Sequence, residues 1–380
     1  MWQKVLGQER VKKTLLAARA SGRMPHAYLF YGGEGVGKDA MALELARVLR
    51  CERGGAEACG VCSSCERISS MQHPDVRFIA ALPAGKGEEA SDEPLAKLPE
   101  KEIRVIQEQL REKGMNPYHR MQIPRANVIK INSIRELRRE SSLSTSDRKT
   151  RIFIISQAEG MEAPAANTLL KTLEEPPGDT MLILTSAHPE ALLPTILSRC
   201  QQIRFDPLSE EDILRALTEW DGIEAGQAAL AARLAHGSYT RARELLQEDV
   251  MQLRQDVVEF ILKALMNNVV ELSEAVEKVT ASKDRDEALR FLTLMQLWFR
   301  DALVLAHGGS VINLDQQDRL KNFVTRFPGA DLVAVLTDVE RAISLVDRYA
   351  YIKLVLLKLA IQLRDAILPG RAAEAPAASP

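Results

Sequence analysis

A chain of 380 residues, 46% hydrophobic and 27% charged, has an ordinary globular composition and the length for two or three domains at about 150 residues each. Its 50 Lys and Arg against 52 Asp and Glu leave a net charge of −2, so no global field recruits nucleic acid or an anionic membrane. The longest apolar runs, such as 354–359, are cut by Lys358 and are too short to span a bilayer, and Met1-Trp2-Gln3-Lys4 lacks the apolar core of a signal peptide. These features predict a cytoplasmic chain with no membrane partner.

In chain order, residues 8–22 predict a first helix with Val11, Leu15 and Leu16 at helical spacing. The apolar run Ala27–Tyr31 then leads into Gly32-Gly33-Glu34-Gly35-Val36-Gly37-Lys38, and Met41, Leu43, Leu45, Ala46 and Leu49 predict the helix behind it. Further buried-type strands are predicted at Asp75–Ile79, Asn127–Ile131, Arg151–Ile155, Met181–Thr185 and Gln201–Phe205. Strands alternating with helices imply a doubly wound parallel α/β sheet. The stretch 80–124 breaks the alternation. Its polar, turn-rich start predicts an exposed insertion, with a charged helix over 100–113. After Pro207 only helical periodicity remains. Ser209 is an N-cap before the acidic turn Glu210-Glu211-Asp212, about three short helices fill 209–247, and longer ones follow over 250–368. The expected organisation is therefore an α/β domain over 1–207, a small helical domain over 208–248, an all-α domain over 249–368 and a disordered Ala/Pro-rich tail over 369–380.

Strand, glycine loop and helix form the setting of a phosphate-binding loop, in which Gly32, Gly35 and Gly37 turn backbone N–H groups towards a phosphate chain and Lys38 reaches the terminal phosphates. The next position should carry a hydroxyl for Mg²⁺, but here it is Asp39. The strand Arg151–Ile155 should end in carboxylates for metal and water activation, but it ends in Ser156-Gln157, and Glu159 comes three residues too late. A nucleotide site by descent, with ATP or ADP bound weakly or not at all and no working ATPase, is the expectation.

Four of the five cysteines fall within fifteen residues: Cys51, Cys59, Cys62 and Cys65. Four thiolates are the full ligand set of a closed tetrahedral zinc site, so a structural zinc is predicted, with Gly54, Gly55 and Gly60 supplying the turns. His73 is not needed as a ligand, and Cys200 is predicted to be buried and structural.

These residues together resemble the bacterial DNA polymerase III clamp-loader subunits of the AAA+ superfamily. The resemblance is carried by Gly7-Gln8, His26–Phe30 before the loop and the four-cysteine module behind it. It is carried further by the two specific strings Ala166-Asn167-Thr168-Leu169-Leu170-Lys171-Thr172-Leu173-Glu174-Glu175-Pro176-Pro177 and Leu193–Cys200. It covers 1–207 strongly, apart from 80–124, and 208–368 in outline. It implies an AAA+ domain with a zinc module (51–65), a helical lid and an oligomerising collar, to whose core Trp298, Phe299, Leu303 and Leu305 would belong. It also implies partners: gamma/tau motor subunits and a delta subunit in a five-membered ring, with the sliding clamp and primer-template DNA reached through the assembly.

Within that family the altered Asp39, Ser156 and Gln157 resemble the non-hydrolysing delta-prime type, part of a polymerase (nucleotidyltransferase) holoenzyme. Thr240 stands where the family has a sensor arginine, beside Arg241, and Ser186 would be a vestigial γ-phosphate sensor. The retained Arg199 of Ser198-Arg199-Cys200 would be an arginine finger acting on a neighbour's ATP. The alternatives are an ATP-hydrolysing gamma/tau-like motor, in which Asp39 and Glu159 substitute for the missing groups, or another AAA+ DNA-repair ATPase. The run Arg135, Arg138, Arg139, Arg148, Lys149 and Arg151, diluted by Glu136, Glu140 and Asp147, is predicted to be a solvated face.

Overall fold

The computed structural model describes residues 2, 4–142, 150–247, 250–266, 268–281, 285–309, 311, 313, 316–347 and 350–368. The expected tail at 369–380, and Asp147, Arg148 and Lys149 of the basic run, lie outside them. The chain forms two compact units, 1–244 and 245–380.

The first unit begins with α1 (Glu9–Ala20), β1 (Ala27–Tyr31), α2 (Lys38–Arg50), α3 (Ser63–Ser69) and β2 (Val76–Ile79). Then come α4 (Glu100–Met115), α5 (Ile131–Ser141), β3 (Arg151–Ile155), α6 (Ala163–Glu174), β4 (Thr180–Ser186), α7 (Pro194–Leu197) and β5 (Gln201–Arg204). The helices α8 (Glu210–Glu219), α9 (Ala225–Leu234) and α10 (Tyr239–Gln247) follow, and Ser209 caps α8 by accepting the Asp212 N–H.

All strand pairings are parallel, in the order β2-β3-β4-β1-β5. Parallel strands covered on both faces read as unbroken apolar runs, which is why β1, β3 and β4 were plain in the sequence. All seven residues of β4 are buried. Because the strands run the same way, their carboxyl ends share one edge, and the Gly32–Lys38 loop lies there beside Ser156 and Ser186. Ligands of such sheets bind at this edge.

Two expectations need correction. Asn127–Ile131 is not a strand: Ile129 makes one isolated parallel bridge to Met161, its N–H bonding Gly160 O, and Ile131 already begins α5. A short apolar run beside a helix start has no periodicity to separate the two states. The 80–124 stretch is not simply exposed either, since Leu98, Ile106, Lys113 and Tyr118 are buried. The missing side chain of Gly114 lets α4 press on α3, because a Cβ there would stand 2.1 Å from Ser69 O. Even the polar start is tied down: the buried Lys130 ammonium donates to Pro83 O, Pro94 O and the Glu88 carboxylate at 2.6 Å. Burial pushes the Glu88 carboxyl up, but that ammonium and the Gly85 N–H win and hold it below its ordinary value.

The second unit contains α11 (Val250–Leu265), α12 (Val269–Thr280), α13 (Arg285–Ala306), α14 (Gln317–Arg326), α15 (Leu332–Asp347) and α16 (Ile352–Ile367). Phe260, Phe291, Trp298, Phe299 and Phe323 build its core, with Leu303 and Leu305 packed against it. Trp298 meets Phe323 edge-on at 4.9 Å and Phe299 at 5.2 Å. Phe299 is fully buried, so Phe299→Ala should cost about 3–5 kcal/mol, read as a lower urea midpoint for the loss of helical circular dichroism. An unchanged midpoint would contradict this packing. Among the described residues no helix is long and apolar enough to cross a membrane.

Candidate functional site

The loop has the glycine geometry of a phosphate cradle. Gly32, Gly35 and Gly37 all have positive φ, and a Cβ on Gly32 would lie 2.4 Å from Phe205 O. The lysine, however, is turned back on its own loop. Lys38 Nζ donates to Gly32 O at 2.7 Å and Gly33 O at 2.6 Å, and burial lowers its pKa.

Asp39 is as fully engaged. Its carboxylate accepts the Thr185 hydroxyl at 2.7 Å and the Ser156 hydroxyl at 2.9 Å, and it pairs with the Lys113 ammonium at 2.8 Å. Lys113 comes from the last turn of α4, inside the 80–124 stretch, and also donates to His119 O. Burial alone would raise the Asp39 carboxyl, but Lys113, Thr185 and Ser156 hold it below its ordinary value. With a folded pKa below the unfolded one, the pair's stabilisation is complete above about pH 4 and is lost as pH falls through the folded value.

The first two positions after β3 carry no carboxylate. Ser156 and Gln157 occupy them, with Gln157 in the left-handed region at φ 52°. Glu159 instead accepts the Ala187 N–H at 2.8 Å. Ser186 is fully buried, and Thr240 donates its hydroxyl to Tyr118 O at 2.8 Å. A cavity of about 80 Å³ remains, lined by Gly35, Gly37, Lys38, Asp39, Lys113 and Tyr118 among others. Lys113 and Tyr118 were missed in the sequence because nothing local links them to a loop some eighty residues earlier.

The cysteine module runs from the end of α2 into α3, with Cys62 at the N-cap of α3 and Cys65 in its first turn. Sγ atoms of Cys51, Cys59, Cys62 and Cys65 all lie within 4.8 Å of one another. Four sulfurs converging this closely can hold one metal ion. Against burial, the N–H groups of Cys59 and Arg53 draw the Cys51 thiol down to about 7, whereas burial pushes Cys65 up to about 12. His73 stays out of the cluster, bonding the Ser64 hydroxyl at 2.9 Å and accepting the Asp75 N–H. Cys200 is buried, apart from the other four in sequence, and burial raises its thiol to about 12.

Arg199 stands between α7 and β5, with its side chain 35% exposed. It donates to Thr195 O at 2.9 Å and pairs with Glu174, the last residue of α6, at 2.8 Å. The two specific strings therefore meet in this ion pair. The basic run is broken up: Arg151 pairs with the buried Asp75, Arg139 approaches Glu93 and Glu136, and Arg135 donates to Ala90 O.

A parallel sheet in this order, with a glycine loop at the carboxyl end of β1 and helices following, defines an α/β phosphate-loop protein of the AAA+ class. Residues 7–209 match the family model described as DNA polymerase III, delta subunit. The chain belongs to this family of clamp-loader subunits, on its delta-prime side. DNA polymerase III subunit delta' of Bacillus subtilis is 34% identical over 242 residues, covering 64% of this chain and 60% of that protein. The Pseudomonas aeruginosa delta' subunit is 34% identical over 274 residues, covering 70% and 67%. The Escherichia coli tau subunit is 27% identical over 82% of this chain but 39% of its own length. Among solved structures, the gamma subunit-related protein of Thermotoga maritima aligns over 94% of this chain and 98% of its own, with 16% identity and a TM-score of 0.39.

Proposed function

We propose that the chain is a delta-prime-type subunit of a bacterial clamp loader in the cytoplasm, one that joins gamma/tau motor subunits and a delta subunit to load the sliding clamp on primed DNA. It hydrolyses no ATP itself and donates Arg199 to a neighbour's ATP site. The observation that carries the reading is Asp39. The residue that should present a hydroxyl to Mg²⁺ is instead a carboxylate bonded to Lys113, Ser156 and Thr185. A motor built on Asp39 and Glu159 is disfavoured, because the Asp39 carboxylate is taken up by Lys113, Ser156 and Thr185, and one Glu159 oxygen already accepts the Ala187 N–H. The four cysteines hold a structural zinc, and residues 208–248 and 249–368 serve as lid and collar.

The isolated chain should show no steady-state ATP hydrolysis above the level of a Lys38→Ala variant, measured as phosphate release with Mg²⁺. A rate that Lys38→Ala abolishes would replace this reading with the motor.

A further inference from the structure

We propose that residues 113–120 are an internal ligand of the phosphate loop, filling the place of a nucleotide and joining the loop to the start of α10 without one. This deepens the non-hydrolysing reading and rests only on its phosphate-loop part.

Charge comes first. A carboxylate at the mouth of a phosphate cradle repels phosphate, and Asp39 is that carboxylate. The Lys113 ammonium neutralises it at 2.8 Å, with both side chains largely buried. The cation this loop holds is therefore part of its own chain. Lys38, whose ammonium should meet the phosphates, bonds Gly32 O and Gly33 O instead.

Shape comes second. The Tyr118 hydroxyl lies 2.6 Å from where a Cβ on Gly37 would stand, and it accepts the Leu6 N–H at 2.9 Å. The phenol thus lies across the loop and fixes the segment that precedes α1. What space remains, about 80 Å³, is room for a few waters, whereas pockets for small-molecule ligands run to roughly 300–1,000 Å³.

The inserted segment also bridges the loop to α10. Tyr118 stacks edge-on against Tyr239 with centroids 5.0 Å apart, and its carbonyl accepts the Thr240 hydroxyl. The Tyr239 N–H in turn bonds Gly35 O at 3.1 Å. Core loop, inserted segment and helix α10 therefore form one hydrogen-bonded stack. A bound nucleotide would have to break the Lys113–Asp39 pair and withdraw Tyr118, and removing one partner of such a buried pair is strongly unfavourable.

The test is a titration of the full chain with a fluorescent ATP analogue and Mg²⁺. The wild type should show no saturable binding. Asp39→Thr with Lys113→Ala, which restores the hydroxyl and clears the ammonium, should bind about 100-fold or more tighter than wild type. Wild-type binding within a few fold of that variant overturns the proposal, as does a double variant of unchanged circular dichroism that binds nothing. Should the double variant not fold, lysine acylation of the wild type read by mass spectrometry decides. Lys113 should react about 10-fold or more slower than exposed Lys101, with or without Mg-ATP, and equal reactivity overturns the proposal. Binding without hydrolysis would remove this inference and leave the proposed function standing. Hydrolysis would remove both.

Discussion

The purified chain should carry close to one zinc, and Cys59→Ser or Cys62→Ser should each release it. Four sulfurs within 4.8 Å of one another leave no open position, so the ion would be structural. Without it the knuckle is four thiols, of which Cys51 and Cys65 are buried and differ widely in proton affinity. A metal replaces those protons, and structural zinc in small peptide modules contributes on the order of 10–16 kcal/mol of apparent binding energy. Here the gain is local, because α2 and α3 flank the module and the α/β core has its own packing. Chelation should therefore leave the sheet folded while opening 51–65 to proteolysis. Unchanged metal content in both serine variants would remove the zinc assignment, and equal protease sensitivity with and without chelator would remove its structural role.

The cysteine module was legible because all its ligands sit within fifteen residues and the chemistry of four thiolates allows few other uses. The central strands were legible for a related reason: β1, β3 and β4 are covered on both faces, so burial alone writes the pattern. Legibility fails where a residue's partner is distant in the chain. Asp39 read as a missing magnesium ligand, but its real partner, Lys113, looked like one more charge on a solvated helix. The periodicity of α4 records only which of its faces is apolar. It does not record that Gly114 lets the helix close on Ser69 and so brings the neighbouring lysine to the loop. Tyr118 was hidden in the same way, inside a run of polar and turn residues. The polar start of this stretch misled only in part: Lys86, Glu89, Ser91 and Glu93 are exposed, but Glu88 turns inward and is met by Lys130 and Asn132 from beyond the stretch. A composition rule counts these as exposed, while hydrogen-bond accounting shows that they can be buried when each finds a partner. Arg199 and Glu174 lie between these extremes. Each sits in a specific string, but their pairing appears only when α6 and the end of α7 are brought together.

Arg199→Ala should leave this chain folded and incorporated while sharply lowering hydrolysis at one neighbouring site. Folding is little affected because the side chain is part-exposed, and pairs such as Arg199–Glu174 contribute about 0–1 kcal/mol. The catalytic loss is of another order. A guanidinium delivered in trans to a γ-phosphate is worth roughly 10³ or more in rate where it is essential. An arginine acting in trans as proposed would serve one site only, so ATPase activity of the whole reconstituted loader, stimulated by DNA and clamp, should fall partially, and clamp loading should fall with it. Arg199→Lys should not restore the rate, because a lysine ammonium lacks the planar fork that holds Thr195 O and Glu174 while presenting further N–H groups. Lys38→Ala in the same chain is the decisive control. Its ammonium bonds the loop's own carbonyls, so its loss should change stability slightly and loader turnover little. If Arg199→Ala loads clamps at the wild-type rate while Lys38→Ala stops loading, the assignments exchange: the chain fires its own ATP, and the Glu174–Arg199 pair is only a surface contact.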